Sequence, residues 1–231
     1  NKGYQVIGTY RRNTLNIKDD IHSIYQFNSN LSFSYCDIND FNSVKQLIVA
    51  NENVDEVYLL AAQSHVGFSF NTPDISVITN GMSVYNVLEN IKNYSAKSKV
   101  YFAATSELFG GKNPEKEYDE LSIYDCKSPY SIGKELGTRW VKYYRQMGLF
   151  CCYGVLFNHS NEYRSKDFFI RKVTNAAAQI VLGKIKKIKL GNLSFWRDEH
   201  WADFGCEVMW KMLQMKTPKD YIIANGETHH G

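Results

Sequence analysis

The stretch Val54–His65, with the sequence Val-Asp-Glu-Val-Tyr-Leu-Leu-Ala-Ala-Gln-Ser-His, is the clearest indication of fold class in this 231-residue chain. Its apolar, β-prone part predicts a strand over Val54–Ala62, with Val57–Ala62 buried on both faces of a sheet. The stretch then changes to the polar residues Gln63–His65. A buried strand of this kind is typical of a parallel sheet, and ligands bind beyond the carboxyl ends of such strands.

Strands and helices alternate on both sides of this stretch. Such alternation predicts an α/β fold with a doubly wound parallel sheet and helices on both of its faces. From Asn158 onward the alternation weakens, which indicates a smaller region built from inserted segments. The other predicted strands are Gln5–Thr9, Leu31–Tyr35, Lys99–Ala104 and Cys151–Phe157, and the predicted helices are Asp37–Val49, Pro73–Tyr94 and Ser128–Met147.

The composition limits the possible functions. The chain is 44% hydrophobic and 22% charged, as in ordinary globular proteins, and its net charge of +3 does not favour nucleic-acid binding. No apolar run approaches the roughly 20 residues of a membrane span, and we expect no signal peptide. Five cysteines without a CxxC pair favour a reduced, cytoplasmic setting and no metal site.

Polar residues follow five of the predicted strands. Because the carboxyl ends of parallel strands meet at one edge of the sheet, we expect these residues to surround a ligand. They are Arg11–Arg12, Asp37, Gln63–His65, Thr105–Glu107 and Asn158–His159.

Tyr130 and Lys134 are four residues apart in a predicted helix, which places both side chains on one helix face. A nearby ammonium stabilises a phenolate, so we expect the pKa of Tyr130 to fall and the residue to act as a base near neutral pH. The YxxxK spacing is common by chance. Here it follows a Ser-Pro helix start and the strand that ends at Thr105, which makes it more specific.

Tyr130, Lys134 and Thr105 resemble the catalytic set of the short-chain dehydrogenases/reductases. Further segments are similar to those of the GDP-mannose 4,6-dehydratase family, and they span nearly the whole chain in the expected order. The similar segments are Ala61–Val66, Thr105–Gly110, Ser128–Tyr130, Leu156–His159, Arg171–Lys172, Leu190–Asn192 and Arg197–Asp198.

The resemblance implies an NADP-dependent lyase that converts GDP-mannose to GDP-4-keto-6-deoxymannose, with loss of water and internal hydride transfer. It assigns Tyr130 as the base for the 4-hydroxyl, Thr105 as its hydrogen-bond partner and Lys134 as a ligand of the cofactor ribose. Glu107 would remove the C5 proton and help the 6-hydroxyl leave. Related sugar epimerases usually lack an acid at this position, so Glu107 favours dehydration.

Arg11 and Arg12 follow what the resemblance identifies as the second strand of the fold. An NAD site usually has an acidic residue there, whereas two arginines suit the 2′-phosphate of NADP. A solvated basic strand end is the alternative interpretation. For the cofactor the resemblance implies Arg11, Arg12, Asp37, Ile38, Leu60, Ala61, Ala62, Ser64, Tyr130, Lys134, His159 and Arg164. For the GDP-sugar it implies Ser64, Glu107, Asn158, Lys172 and Arg197.

The resemblance also implies a division into an NADP-binding Rossmann-like domain, 1–158, and a mostly substrate-binding region, 159–231, that returns to the sheet. The family's first strand and its Gly-rich phosphate-binding turn have no counterpart in this sequence, and the family continues past residue 231. We therefore expect the Rossmann-like sheet to lack its first strand in this chain, and both ends of the protein to lie outside the sequence.

Three features depart from the family pattern. Residues 160–167 differ from the expected run, Ile75 replaces a frequent Tyr, and the spacing from Asp198 to His200 is one residue short. These positions belong to family regions for substrate binding, NADP contact and subunit packing. The sequence thus leaves four readings of function: GDP-mannose dehydratase, dehydratase of another GDP-sugar such as GDP-manno-heptose, epimerase or reductase, against which Glu107 argues, or non-catalytic relative. A homodimer or homotetramer is the expected assembly.

Overall fold

The strands of the computed structural model are short and mostly parallel. The structure describes residues 2–11, 30–110, 117–191 and 193–230. The strands are β1 (Val6–Tyr10), β2 (Leu31–Tyr35), β3 (Glu56–Leu59), β4 (Lys99–Ala103), β5 (Cys151–Leu156), β6 (Asn158–Ser160), β7 (Trp196–Trp201), β8 (Tyr221–Ile223) and β9 (Thr228–His230).

The helices follow the predicted order, with one irregular segment. A π-helical turn, Ile78–Met82, joins two α-helices into a continuous helical segment, and a 3₁₀ helix, Ser106–Phe109, follows β4. The α-helices are α1 (Phe41–Val49), α2 (Val66–Ser69), α3 (Pro73–Val77), α4 (Ser83–Tyr94), α5 (Pro129–Gln146), α6 (Phe169–Val181) and α7 (Ala202–Leu213).

The main sheet contains four parallel strands in the order β3-β4-β5-β8, and β1 and β2 form a separate parallel pair. Alternate residues of β4 face two different hydrophobic cores. Phe102 packs in the core that includes Leu88 of α4 and Val141 of α5, whereas Tyr101 packs in the core that includes Met209 of α7. Helices therefore cover both faces of the sheet, which confirms the predicted doubly wound α/β fold.

Strand β3 differs from the prediction in length and burial. The strand covers only Glu56–Leu59, and of these residues only Leu59 is buried. The side chains of Tyr58 and Leu60 are 37% and 50% exposed. The predicted burial of Val57–Ala62 is therefore wrong, because β3 lies at the edge of the main sheet in the part of the chain that the structure describes. The fully buried strand is β5.

Helix α5 begins where the Ser-Pro pair predicts. The Ser128 hydroxyl accepts a hydrogen bond from the backbone N–H of Ser131, and the Ser131 hydroxyl accepts one from the backbone N–H of Ser128. Pro129 occupies the first turn, where its missing N–H costs nothing. This start fixes the position of Tyr130, the second residue of the helix.

A third sheet is formed by β6, β7 and β9. Strand β6 pairs in parallel with β7, which pairs in antiparallel fashion with β9. Asp198 of β7 is buried, and its carboxylate accepts hydrogen bonds from the backbone N–H groups of Asn225 and Gly226 at 2.8 and 2.6 Å. This link ties β7 to the segment that follows β8. Across the four described ranges, no helix has the length and apolarity of a membrane span.

Candidate active site

A cleft of about 350 Å³ lies beyond the carboxyl ends of β3, β4 and β5. Three of the five predicted strand endings meet there, which is the arrangement expected of a doubly wound sheet. The predicted site residues that line the cleft are Ser64, Thr105, Glu107, Tyr130, Asn158, His159, Arg164, Lys172 and Arg197.

Thr105 and Glu107 reach the cleft because the chain turns sharply after β4. Thr105 is the N-cap of the 3₁₀ helix, and its hydroxyl accepts a 3.3 Å hydrogen bond from the backbone N–H of Glu107. The Thr105 residue is buried, whereas Glu107 is half-buried. The turn places a hydroxyl and a carboxylate in the same cleft wall.

The phenol of Tyr130 lies in the same wall. Burial raises its pKa, a hydrogen bond with the Thr105 side chain lowers it, the Glu107 carboxylate raises it, and the Arg164 guanidinium lowers it. The net pKa is raised, so the predicted depression by Lys134 is wrong for this structure. The cation that favours the Tyr130 phenolate is Arg164, from a loop more than 30 residues further along the sequence.

Lys134 lies one helical turn beyond Tyr130 but does not line the cleft. Its side chain is 3% exposed, and the ammonium donates a 2.7 Å hydrogen bond to the backbone carbonyl of Ala103. Burial lowers the pKa of Lys134 to about 7. An amine in this position can hold or release a proton near neutral pH.

Asn158 and His159 enter the cleft from β6, directly after β5. The Nδ1 atom of His159 is 3.0 Å from the carbonyl oxygen of Phe157, and its ring stacks on that of His200 with centroids 5.5 Å apart. Burial lowers the pKa of His159, the hydrogen bond with the Phe157 carbonyl raises it to a smaller extent, and the charges of Arg164 and His200 lower it further. The net pKa is lowered, which favours the neutral imidazole in this wall of the cleft.

Three basic side chains line the remaining part of the cleft. The Arg164 guanidinium lies over the Phe168 ring at 3.7 Å from its centroid, and that of Arg197 lies over Phe195 at 4.5 Å. Lys172 extends from the first turn of α6. This set of cations suits a diphosphate, because guanidinium and ammonium groups bind phosphate oxygens through charge-assisted hydrogen bonds.

The remaining predicted cofactor residues lie away from the cleft. Arg11 is exposed at the end of β1, and Arg12 lies outside the described residues. The Asp37 carboxylate accepts a hydrogen bond from the backbone N–H of Asn39 near the start of α1. The predicted cofactor residues that do not line the cleft are Arg11, Asp37, Ile38, Leu60, Ala61, Ala62 and Lys134.

Two residues of this region were not predicted. Asn80, in the π-helical turn, accepts a hydrogen bond from the backbone N–H of Gln63 at 2.9 Å and donates one to its carbonyl at 3.0 Å. Glu199 lines the cleft from β7. The sequence could have identified Glu199, because it lies two residues after Arg197 and alternate residues of a strand share a face. No sequence signal identifies the Asn80 contact.

The chain matches the family model described as GDP-mannose 4,6 dehydratase over residues 1–230. It is 36% identical over 239 aligned positions to GDP-mannose 4,6 dehydratase 2 of Arabidopsis thaliana, covering 99% of this chain and 63% of that protein. It is 38% identical to GDP-mannose 4,6 dehydratase 2 of Caenorhabditis elegans, covering 98% of this chain and 61% of that protein. The chain thus spans less than two thirds of the length of these relatives.

Solved structures share the fold at low sequence identity. The Pseudomonas aeruginosa protein RMD, complexed with NADPH, superposes with a TM-score of 0.79 at 16% identity, covering 98% of this chain and 78% of that one. The dTDP-glucose 4,6-dehydratase of Bacillus anthracis, in complex with NAD, gives 0.80 at 22% identity, covering 99% and 69%. The match to the family model over residues 1–230 shows that the chain belongs to the GDP-mannose 4,6-dehydratase family.

Proposed function

We propose that the protein is an NADP-dependent 4,6-dehydratase of GDP-mannose. The observation that carries this proposal is the presence of Thr105, Tyr130 and Glu107 in one wall of a single cleft. A hydroxyl, a phenol and a carboxylate are the groups needed to oxidise a secondary alcohol and then eliminate water next to the new carbonyl. The overall reaction converts GDP-mannose to GDP-4-keto-6-deoxymannose and one water.

In the first step, Tyr130 acts as the base and takes the proton of the 4-hydroxyl. Thr105 holds the same oxygen through its hydroxyl, and Arg164 stabilises the phenolate form of Tyr130, as its effect on the pKa indicates. The raised pKa of Tyr130 means that proton removal depends on these two neighbours.

The second role falls to Glu107. The 4-keto group makes the C5 proton acidic, and the carboxylate removes it. The carboxylic acid thus formed donates a proton to the departing 6-hydroxyl, which leaves as water. The same group therefore serves as base and then as acid, so its proton is conserved through the elimination.

The residues at the ends of β1, β2 and β3 fit a dinucleotide. Leu60 is apolar yet half exposed at the end of β3, which offers an apolar surface to a flat ring, and Arg11 presents an exposed basic group at the end of β1. When bound, NADP would accept a hydride from C4 and return it to C6, and C5 would take up a proton that balances the one Tyr130 removes from the 4-hydroxyl. Arg11 supports NADP over NAD because a guanidinium suits a 2′-phosphate.

The cleft also suits the nucleotide part of the substrate. Lys172 and Arg197 would bind the diphosphate, and Asn158 and Ser64 would hydrogen-bond the sugar. Asn158 lies at the start of β6, next to the catalytic wall. These assignments follow from charge and from position in the cleft.

The experiment that tests the proposal compares Glu107→Gln with Glu52→Gln in the full-length protein. Glu52 is an exposed acid outside the cleft and serves as the matched control. We expect wild type and the control to form a 4-keto-6-deoxy product from GDP-mannose, detected by NMR, whereas Glu107→Gln forms none and still binds NADP. Unchanged product formation by Glu107→Gln would contradict the assigned chemistry.

We propose the division into a cofactor domain, 1–158, and a mostly substrate-binding region, 159–231. The pairing of β8 with β5 supports a return of the second part to the sheet. Cytoplasmic location is proposed because Cys36, Cys126, Cys151, Cys152 and Cys206 are all free thiols. Exposed apolar residues on α3 and α5, including Ile75 and Ile132, support a homodimer or homotetramer.

A further inference from the structure

Besides Glu107, the carboxylates of Asp167 and Glu199 line the cleft, and that of Glu199 lies apart from the catalytic wall formed by Thr105, Glu107 and Tyr130. Glu199 belongs to β7, and its Cα pairs with that of Asn158 in the parallel β6–β7 ladder. Its strand neighbours Asp198 and His200 are buried, while Glu199 is half-buried and faces the cleft. The residue therefore stands beside a proposed substrate contact.

One oxygen of this carboxylate is held in place by the protein. The Ser160 hydroxyl donates a 3.0 Å hydrogen bond to Oε1 of Glu199 across the β6–β7 pair. The other oxygen, Oε2, is buried and has no hydrogen-bond partner in the part of the chain that the structure describes. A ligand that donates a hydrogen bond to such an oxygen therefore binds more favourably, because the bond satisfies a buried acceptor.

The nearby cation does not satisfy Oε2. Arg164 lines the same cleft and interacts electrostatically with Glu199, yet the two side chains form no ion pair among the described residues. The guanidinium instead lies over the Phe168 ring. Glu199 thus keeps one carboxylate oxygen that none of the described residues satisfies.

We infer that Oε2 of Glu199 accepts a hydrogen bond from a hydroxyl group of the bound nucleotide sugar and thereby helps to select the substrate. This inference rests on the proposed function and adds a specificity residue to it. A hydroxyl is the favoured donor because a carboxylate repels phosphate, while Arg197 and Lys172 already supply cations for the phosphates in the same cleft.

The hydroxyl can belong to the sugar ring or to the ribose of GDP, and binding measurements distinguish the two. The probes are GDP-mannose, GDP and NADP, titrated calorimetrically into the full-length protein and its Glu199→Gln variant. Glutamine keeps the shape of the side chain and an oxygen for Ser160. Glu162→Gln is the matched control. Glu162 is an exposed acid two residues after β6, and it does not line the cleft.

We expect Glu199→Gln to weaken GDP-mannose binding about tenfold or more, as for loss of a hydrogen bond to a charged group. Weakening confined to GDP-mannose assigns the hydroxyl to the sugar, and equal weakening of GDP assigns it to the ribose. NADP binding should not change. Ser160→Ala, which frees Oε1, should weaken the same probe to a smaller extent.

Unchanged affinity for both GDP-mannose and GDP in a folded Glu199→Gln protein would overturn the inference. Equal weakening of all three probes would also overturn it, since that result indicates general damage to the fold. Affinity is measured without turnover, so a failure of the proposed reaction would appear separately, as wild-type binding of GDP-mannose without product.

Discussion

The ammonium of Lys134 donates a 2.7 Å hydrogen bond to the backbone carbonyl of Ala103, the last residue of β4. The contact joins helix α5 to the strand that leads into the turn at Thr105–Glu107. The same ammonium lies 4.8 Å from the centroid of the Phe102 ring. A buried amine with one carbonyl acceptor carries a desolvation cost, which is why its pKa falls to about 7.

This burial predicts a pH-dependent stability. The pKa of Lys134 is about 7 in the folded protein and about 10.4 in an unfolded chain, so between these values the unfolded state binds the extra proton. Stability from this group therefore rises with pH, by on the order of 2 kcal/mol between about pH 7 and about pH 8.5. Lys134→Met should lack this rise in urea unfolding, whereas Lys97→Met, at an exposed site, should retain it. Identical pH slopes for the two variants would contradict the assignment.

Arg164 should control the pH at which Tyr130 works. The guanidinium lowers the pKa of Tyr130 by favouring the phenolate, so its removal raises that pKa. We expect Arg164→Met to move the acidic limb of the kcat/KM profile, which reports the base, to higher pH. Arg139→Met, which removes an exposed guanidinium paired with Glu135 on the surface of α5, should leave the profile in place. A shift to lower pH in Arg164→Met would rule out this role.

The Asn80 amide should position the loop after β3. Asn80 is 1% exposed and makes two hydrogen bonds to the backbone of Gln63, next to Ser64 in the cleft wall. Asn80→Ala leaves both backbone groups without their partner, so we expect a loss of about 1–3 kcal/mol of stability in urea unfolding. Asn93→Ala, on the exposed side of α4, should cost far less. Equal losses of stability in the two variants would show that the hydrogen bonds between Asn80 and Gln63 do not stabilise the protein.

Helix α5 should tolerate no larger residue at Gly137. A Cβ atom there would lie 2.6 Å from Cζ of Phe102 and 3.1 Å from the carbonyl oxygen of Asn80. Gly137→Ala should therefore destabilise the protein by about 1–3 kcal/mol, the usual cost of overpacking. Gly191 has no neighbour within 4 Å of such a Cβ, so Gly191→Ala is the control. A stable Gly137→Ala variant would mean that α5 lies further from the sheet.

Much of the catalytic wall could be predicted from the sequence because it depends on local patterns. The YxxxK spacing, the Ser-Pro start of α5 and the polar residues after β4 each follow from a few consecutive positions. Parallel strands then bring their carboxyl ends together, so Thr105, Glu107 and Tyr130 meet without further information. The position of β6 after β5 adds Asn158 in the same way.

Other features depend on contacts between distant segments and could not be predicted. The effect of Arg164 on Tyr130 requires the path of the loop after β6, and the place of Glu199 requires the register of β6 against β7. The direction of the Lys134 side chain follows from packing against β4, which the helical spacing does not determine. The exposure of β3 reflects its place at the sheet edge in the described structure, which a run of apolar residues does not reveal.

We propose that this cleft carries out an internal oxidation, elimination and reduction on a GDP-hexose. The most direct test supplies GDP-mannose labelled with deuterium at C4 to the full-length protein without added oxidant or reductant. We predict a product that has lost one water and carries the deuterium at C6, as seen by mass spectrometry and NMR. A product without deuterium at C6, or no loss of water from GDP-mannose, would contradict the proposed activity.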